Sequence, residues 1–190
     1  ALRRGTLTSQ GYCVAEGPHL LEEARRSGSR IRAILVAESA AARMSGGAEP
    51  ITVVDDGVFE KLAATETTQG VIALIDAPAW TMAQLLPHGS LVVVLDGIQD
   101  PGNAGTILRA AEAFGASGVI FLKGSVSPFN AKVLRASAGS LFRVPFVHGI
   151  DVAGVLTSFA ERGIILYAAV PGGPAHDALA LMQADLPHDC

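Results

Sequence analysis

Leu91-Val92-Val93-Val94-Leu95-Asp96-Gly97-Ile98-Gln99-Asp100-Pro101-Gly102-Asn103-Ala104-Gly105-Thr106-Ile107-Leu108-Arg109-Ala110-Ala111 is the stretch whose reading decides the fold. Its first five residues are an unbroken apolar run, the texture of a strand covered on both faces in a parallel sheet. A turn with Gly and Pro follows, then a helix from Ala104 to Phe114 with Asn103 placed to cap it. Downstream, Gly118 to Leu122 reads as a strand, Ala131 to Ala138 as a helix and Val144 to Val147 as a short strand. Val152 to Glu161 reads as a helix and Ile164 to Ala169 as a further strand. This βαβ alternation predicts a parallel α/β sheet with right-handed crossovers.

Upstream, Gly11 to Ala15 reads as a strand, and Pro18 opens a helix with Leu20, Leu21, Ala24 and Arg25 at helical spacing. Ile31 to Val36, Ile51 to Val54 and Val71 to Ile75 are β-branched apolar runs separated by helix-like stretches. Asp76 to Gly89 holds Pro78, Pro87 and Gly89 around Trp80, Met82 and Leu85, which suits a linker with one short helical turn. The expected division is therefore a smaller α/β domain over 1–79 and a parallel-sheet domain over 80–190.

With 190 residues, 49% of them hydrophobic and 17% charged, the chain has ample apolar surface for a buried core. The net charge of -4 excludes a global attraction to nucleic acid, so any RNA contact must come from a local basic patch. Arg3, Arg4, Arg25, Arg26, Arg30 and Arg32 concentrate cations near the amino end, as such a patch or as one solvated face. Two cysteines, Cys13 and Cys190, make neither a disulfide framework nor a zinc site, and the reducing cytoplasm is the expected compartment. No apolar stretch approaches the ~20 residues of a membrane helix. The five histidines lack partners at ligand spacing, so no metal is expected.

Loops at the carboxyl ends of parallel strands are where open α/β sheets bind ligands, which makes 96–105 the candidate site. Gly102 and Gly105 permit a tight turn and close approach of a ligand. Arg109 falls within the first turns of the expected helix, where the positive dipole end disfavours a cation unless an anion is near, so a phosphate partner is expected. A plain surface arginine is the competing reading. Gly97, Gly102 and Gly105 do not make the Gly-x-Gly-x-x-Gly dinucleotide pattern, and no phosphate-loop lysine motif or nucleophile elbow is present.

Asp100-Pro-x-Asn-x-Gly-x-x-x-Arg109 and Ala111-x-Ala-Phe-Gly115 are similar to the first motif of the SpoU/TrmH RNA 2'-O-methyltransferases of the SPOUT class. Lys132, Arg135, Ser137, Gly139 and Pro145 resemble the stretch that follows it. Val14-Ala15-Glu16-Gly17 and Thr67-Thr68-Gln69-Gly70-Val71 resemble the family's accessory domain, itself similar to small ribosomal proteins. The resemblance implies methyl transfer from S-adenosylmethionine to a ribose 2'-hydroxyl of RNA, with ribosomal RNA favoured and no metal required. It assigns Arg109 to the phosphate beside the target ribose and Asn103 to the loop beneath it. RNA contacts would fall on Lys132, Arg135, Arg143, Ser137 and Glu16, with Phe129 a stacking candidate or a core residue. Cofactor contacts would fall on Val170, Pro171 and Gly172, and a homodimer is expected of the complete family member.

Two later motifs of the family, Gly-x-Glu-x-x-Gly and the Ser-Leu-Asn-Val-Ser run that forms the cofactor-holding knot, have no counterpart here. A SPOUT-like domain with its knot incomplete is therefore expected, together with weak or absent cofactor binding and no activity for this stretch alone. A non-catalytic RNA-binding module and a nucleotide-binding α/β enzyme are the rival readings.

Overall fold

The computed structural model describes residues 7–44, 47–65, 67–170, 178–180 and 183–184. Two sheets follow each other along the chain. The first contains β1 (Tyr12–Glu16), β2 (Ile31–Ala37), β3 (Ile51–Val54) and β4 (Val71–Asp76) in the order β1-β4-β2-β3. β4 runs antiparallel to both β1 and β2, while β2 and β3 are parallel. Helices α1 (Pro18–Arg26), α2 (Glu38–Ala41) and α3 (Asp56–Leu62) connect these strands. Pro18 at the first helical position and Asp55, whose carboxylate accepts from Gly57 N and Val58 N, start α1 and α3.

The second sheet is parallel, with β5 (Val92–Leu95), β6 (Gly118–Leu122) and β7 (Phe146–Ile150) in that order. Helices α5 (Pro101–Ala113), α6 (Ala131–Ala136) and α7 (Val152–Ala160) alternate with them, after a short α4 (Met82–Leu85) in the connection. That connection is more than a tether. Leu85 is fully buried, and a Cβ on Gly118 would stand 2.4 Å from its Cγ, so the glycine makes room for the linker to dock on β6.

Three sequence expectations fail here. β5 is an edge strand with Val92 to Val94 only partly covered, whereas all five residues of β6 are buried. The unbroken valine run marked a strand correctly but not its place in the sheet. Residues 164–170 form no strand, and Ile165, Leu166 and Val170 are exposed; a strand needs a ladder partner, and among the described residues β5 bonds only β6. Finally, α5 begins at Pro101, because Asp100 and not Asn103 caps it: Asp100 Oδ1 accepts from Asn103 N at 2.7 Å.

The two sheets share one apolar core. Cys13, Ala15, Leu20, Leu21 and Ala24 of the first half belong to the same buried cluster as Ala104, Leu108, Val133, Leu134 and Leu141 of the second. A smaller cluster of Leu85, Ile120, Val147, Val155 and Phe159 lies on the other face of the parallel sheet.

Candidate functional site

The carboxyl ends of β5 and β6 are laced together. Ser125 Oγ donates to Leu95 O at 2.9 Å, Val126 N to Ile98 O at 2.8 Å, and Gln99 Nε2 to Gly124 O. The loop that opens α5 is thus fixed from both sides. Asn103, third residue of the helix, keeps an exposed side chain at the rim of this loop.

Gly105 has a different purpose from the expected one. A Cβ there would stand 2.4 Å from Ala136 Cβ and 2.8 Å from both Ala136 C and Ser137 N. The glycine admits the backbone of α6, not a ligand. Arg109 follows one helical turn later, on the flank of α5 that α6 approaches. It is exposed, and among the described residues it makes no hydrogen bond or ion pair. With the helix beginning at Pro101, Arg109 lies in the carboxyl-terminal half of α5, so the dipole no longer argues for an anion; its lack of a protein partner does.

Lys132 is exposed on α6, whose cap is Asn130 accepting from Lys132 N at 2.9 Å. The other candidate RNA contacts are engaged within the protein. Ser137 is fully buried, with Oγ donating to Leu134 O at 2.8 Å. Glu16 is buried, accepting from Ala64 N at 2.8 Å and from the Thr65 hydroxyl, and its Oε2 lies 4.0 Å from Arg135 Nη1. Arg143 is held by two carboxylates. Its Nη1 donates to Glu23 Oε2 at 2.5 Å, and its Nε and Nη2 donate to Glu112, the latter at 3.1 Å. The bond from Arg143 holds the Glu112 carboxyl below its ordinary range. Nothing in the sequence marks Glu23 or Glu112, which lie 120 and 31 residues away from Arg143, as its partners.

Three of the amino-terminal arginines are paired too, while Arg30 is exposed and makes no ion pair among the described residues. Arg25 forms a two-pronged bond to Glu49, at 2.9 and 3.0 Å, and Arg32 one to Asp76, at 2.6 and 2.8 Å; Arg26 meets Glu22 at 3.2 Å. Arg3 and Arg4 lie outside the described residues. Phe129 is a core residue, edge-on to Phe146 and His148. A cleft of about 210 Å³ between α2, α3 and the Thr68-Gln69-Gly70 turn is lined by Ser39, Arg43, Asp56 and Glu60. Of the cofactor candidates, Val170 is exposed in irregular chain, and Pro171 and Gly172 lie outside the described residues. Among the described residues no three His, Cys, Asp or Glu side chains gather as a metal site, and no helix is long and apolar enough to cross a membrane.

Residues 90–187 match the model of the SpoU rRNA methylase family, and residues 4–73 match the MRM3-like substrate binding domain. The chain is 34% identical to the Bacillus subtilis 23S rRNA (guanosine(2553)-2'-O)-methyltransferase RlmP, over 84% of this chain and 63% of that protein. It is 32% identical to a TrmH-family protein of Staphylococcus haemolyticus, over 92% of this chain and 75% of the relative. A TrmH-family structure from Porphyromonas gingivalis superposes with a TM-score of 0.76 at 30% identity, covering 94% of this chain and 68% of that one. The AdoMet-bound rRNA methyltransferase structure from Sinorhizobium meliloti gives 0.63 at 27% identity, over 78% and 57%. The chain belongs to the SpoU rRNA methylase family, with the α/β fold and parallel sheet of its SpoU and TrmH relatives. It spans about three-fifths of the length of the first curated relatives.

Proposed function

We propose that this chain supplies the RNA-gripping part of a ribose 2'-O-methyltransferase that acts on ribosomal RNA and draws its methyl group from S-adenosylmethionine. Residues 1–79 serve as the accessory RNA-binding domain and 80–190 as the SPOUT methyltransferase unit, in a cytoplasmic homodimer. The rRNA methyltransferase relatives support the reaction and the substrate. One observation supports the site: the exposed guanidinium of Arg109, without a protein partner among the described residues, on the helix that opens from the laced loop at the sheet's carboxyl edge.

The cofactor, when bound, supplies an electrophilic methyl carbon on a sulfonium. Of its candidate contacts, Val170 is exposed, and Pro171 and Gly172 lie outside the described residues. The chain's own share is positioning and electrostatics. Arg109 grips the phosphate next to the target ribose and holds positive charge near the 2'-oxygen as its proton leaves. A guanidinium stays protonated, so Arg109 is not the base. Lys132, exposed on the neighbouring helix, adds a second phosphate contact.

Salt titration of binding to a 23S rRNA fragment tests this. Each phosphate contact contributes roughly one unit to the slope of log affinity against log salt, so Arg109→Ala lowers the slope by about one and affinity by about tenfold. An unchanged slope with an intact circular dichroism spectrum removes Arg109 from the interface.

A further inference from the structure

The segment from Arg135 to Arg143 contains three of the residues that the family resemblance assigns to RNA, yet both of its arginines have a carboxylate of the first half as a partner or neighbour. Arg143 stands between Glu23 on α1 and Glu112 on α5, the helix that carries Arg109. Glu23 also accepts from Arg26, at 3.5 Å, so the Arg143 guanidinium is matched by carboxylates on two sides and carries no uncompensated charge for a phosphate. Arg135 points its buried Nη1, which makes no hydrogen bond, toward buried Glu16 of β1.

The backbone is shaped for the same crossing. Ala138, at φ 48°, and Gly139, at φ 92°, are successive left-handed residues, an arrangement a non-glycine residue adopts only at a cost of about 1–3 kcal/mol. A Cβ on Gly139 would stand 2.6 Å from Glu23 Cβ and 2.9 Å from Glu23 Oε2. The glycine is therefore the gap through which Glu23 reaches Arg143.

We infer that 135–143 is a docking element for the amino-terminal half, and that Arg143 is a positioning residue that sets the angle between that half and the helix bearing Arg109. RNA held by the first half is thereby presented to Arg109 in one register. This rests on the RNA-binding reading above, and two separate readouts keep them apart.

Spin labels on Glu38→Cys and Ala153→Cys, both exposed and on opposite halves, report the angle in a Cys190→Ser background. Cys13 is fully buried, with its thiol pushed up to about 12, and does not compete for label. The parent gives one narrow distance distribution. Arg143→Met, Gly139→Ala, and Glu23→Gln, which spares the Arg143 to Glu112 bond, each widen it at least twofold, and Arg143→Lys does not restore it because an ammonium lacks the two-sided fork. RNA affinity falls about tenfold in these variants with the salt slope unchanged. A distribution that stays narrow in folded Glu23→Gln and Arg143→Met overturns the inference, since the shared apolar core then sets the angle alone. A slope lower by about one in Arg143→Met also overturns it, making Arg143 a phosphate contact. If the parent binds no RNA, the functional reading fails while the distance measurement still judges the docking element.

Discussion

Gly105→Ala separates two purposes for a glycine that the sequence leaves equivalent. Were Gly105 present to admit a ligand, alanine would stabilise the free protein, because alanine is favoured over glycine inside a helix by about 0.8–1 kcal/mol. In the structure the new methyl would lie 2.4 Å from Ala136 Cβ, against an ordinary carbon contact of about 3.5–4 Å, so the helices must part by roughly 1 Å. Two of the three nearest atoms are backbone, Ala136 C and Ser137 N, and no rotamer change relieves them. Overpacking of this kind costs about 1–3 kcal/mol, and contact with backbone puts Gly105 at or above the top of that range. After the propensity gain, the net loss is about 2 kcal/mol. For a chain of this size that is a fall in Tm of about 4–8 °C, read by thermal or urea denaturation without RNA. Gly154→Ala in α7 is the control: its Cβ would meet only Ile150 Cγ2, at an ordinary 3.7 Å, so the substitution is neutral or stabilising by up to about 1 kcal/mol. A Gly105→Ala protein as stable as its parent, or more so, would refute the close packing of α6 on α5.

The cap assignment predicts an asymmetry: Asp100→Ala removes the acceptor for Asn103 N and costs about 1 kcal/mol, while Asn103→Ala, with only an exposed side chain to lose, costs under about 0.5 kcal/mol. Equal losses in urea unfolding would return the cap to Asn103. Stability also falls in two stages on acidification. Burial lowers the His148 pKa, so below 6.5 the unfolded chain takes up the proton first and stability begins to drop. Glu112, Glu49 and Asp76 are held low by hydrogen bonds from Arg143, Arg25 and Arg32, so their stabilisation, complete above the ordinary carboxylate range, is lost as pH falls through their folded values. Glu112→Gln flattens the lower stage in urea midpoints measured from pH 8 to pH 3; an unaltered profile would show that the Arg143 bond does not persist in solution.

Strands were legible wherever a β-branched run carries its own period. Ile51–Val54 and Gly118–Leu122 lie where the sequence places them, and β2 and β4 extend their expected runs by a residue. What a run cannot encode is its neighbour. Leu91 to Leu95 and Gly118 to Leu122 have the same texture, yet one is an edge and the other the centre, because sheet order depends on residues far away in the chain. Ile164 to Ala169 has a strand's composition but no ladder among the described residues. The start of α5 is legible in the sequence: Asp followed by Pro is an N-cap followed by a first-turn residue, and it places the helix at Pro101 instead of Ala104. That shift of three residues moved Arg109 away from the positive end of the dipole and removed one of the arguments for it.

The same distinction explains why the second motif is easily mistaken for a nucleic-acid surface. Lysine and arginine in a row of small residues look like a basic patch in one dimension, but whether a cation can meet phosphate depends on which carboxylates the fold brings to it. Arg25, Arg26, Arg32 and Arg143 each meet a glutamate or aspartate, and Arg135 is directed at Glu16. The positive charge at these positions is therefore neutralised within the protein, while Arg30 stays exposed without an ion pair among the described residues. Arg109 and Lys132 are exposed, without protein ion pairs among the described residues, and lie on the adjacent helices α5 and α6; Arg30, Arg43 and Lys61 share that state in the first half. An overall charge of -4 is thus compatible with a local RNA grip. Binding depends on the cations left unpaired at the contact, and a polyanion a Debye length of about 8 Å away from the paired ones barely senses them at physiological salt.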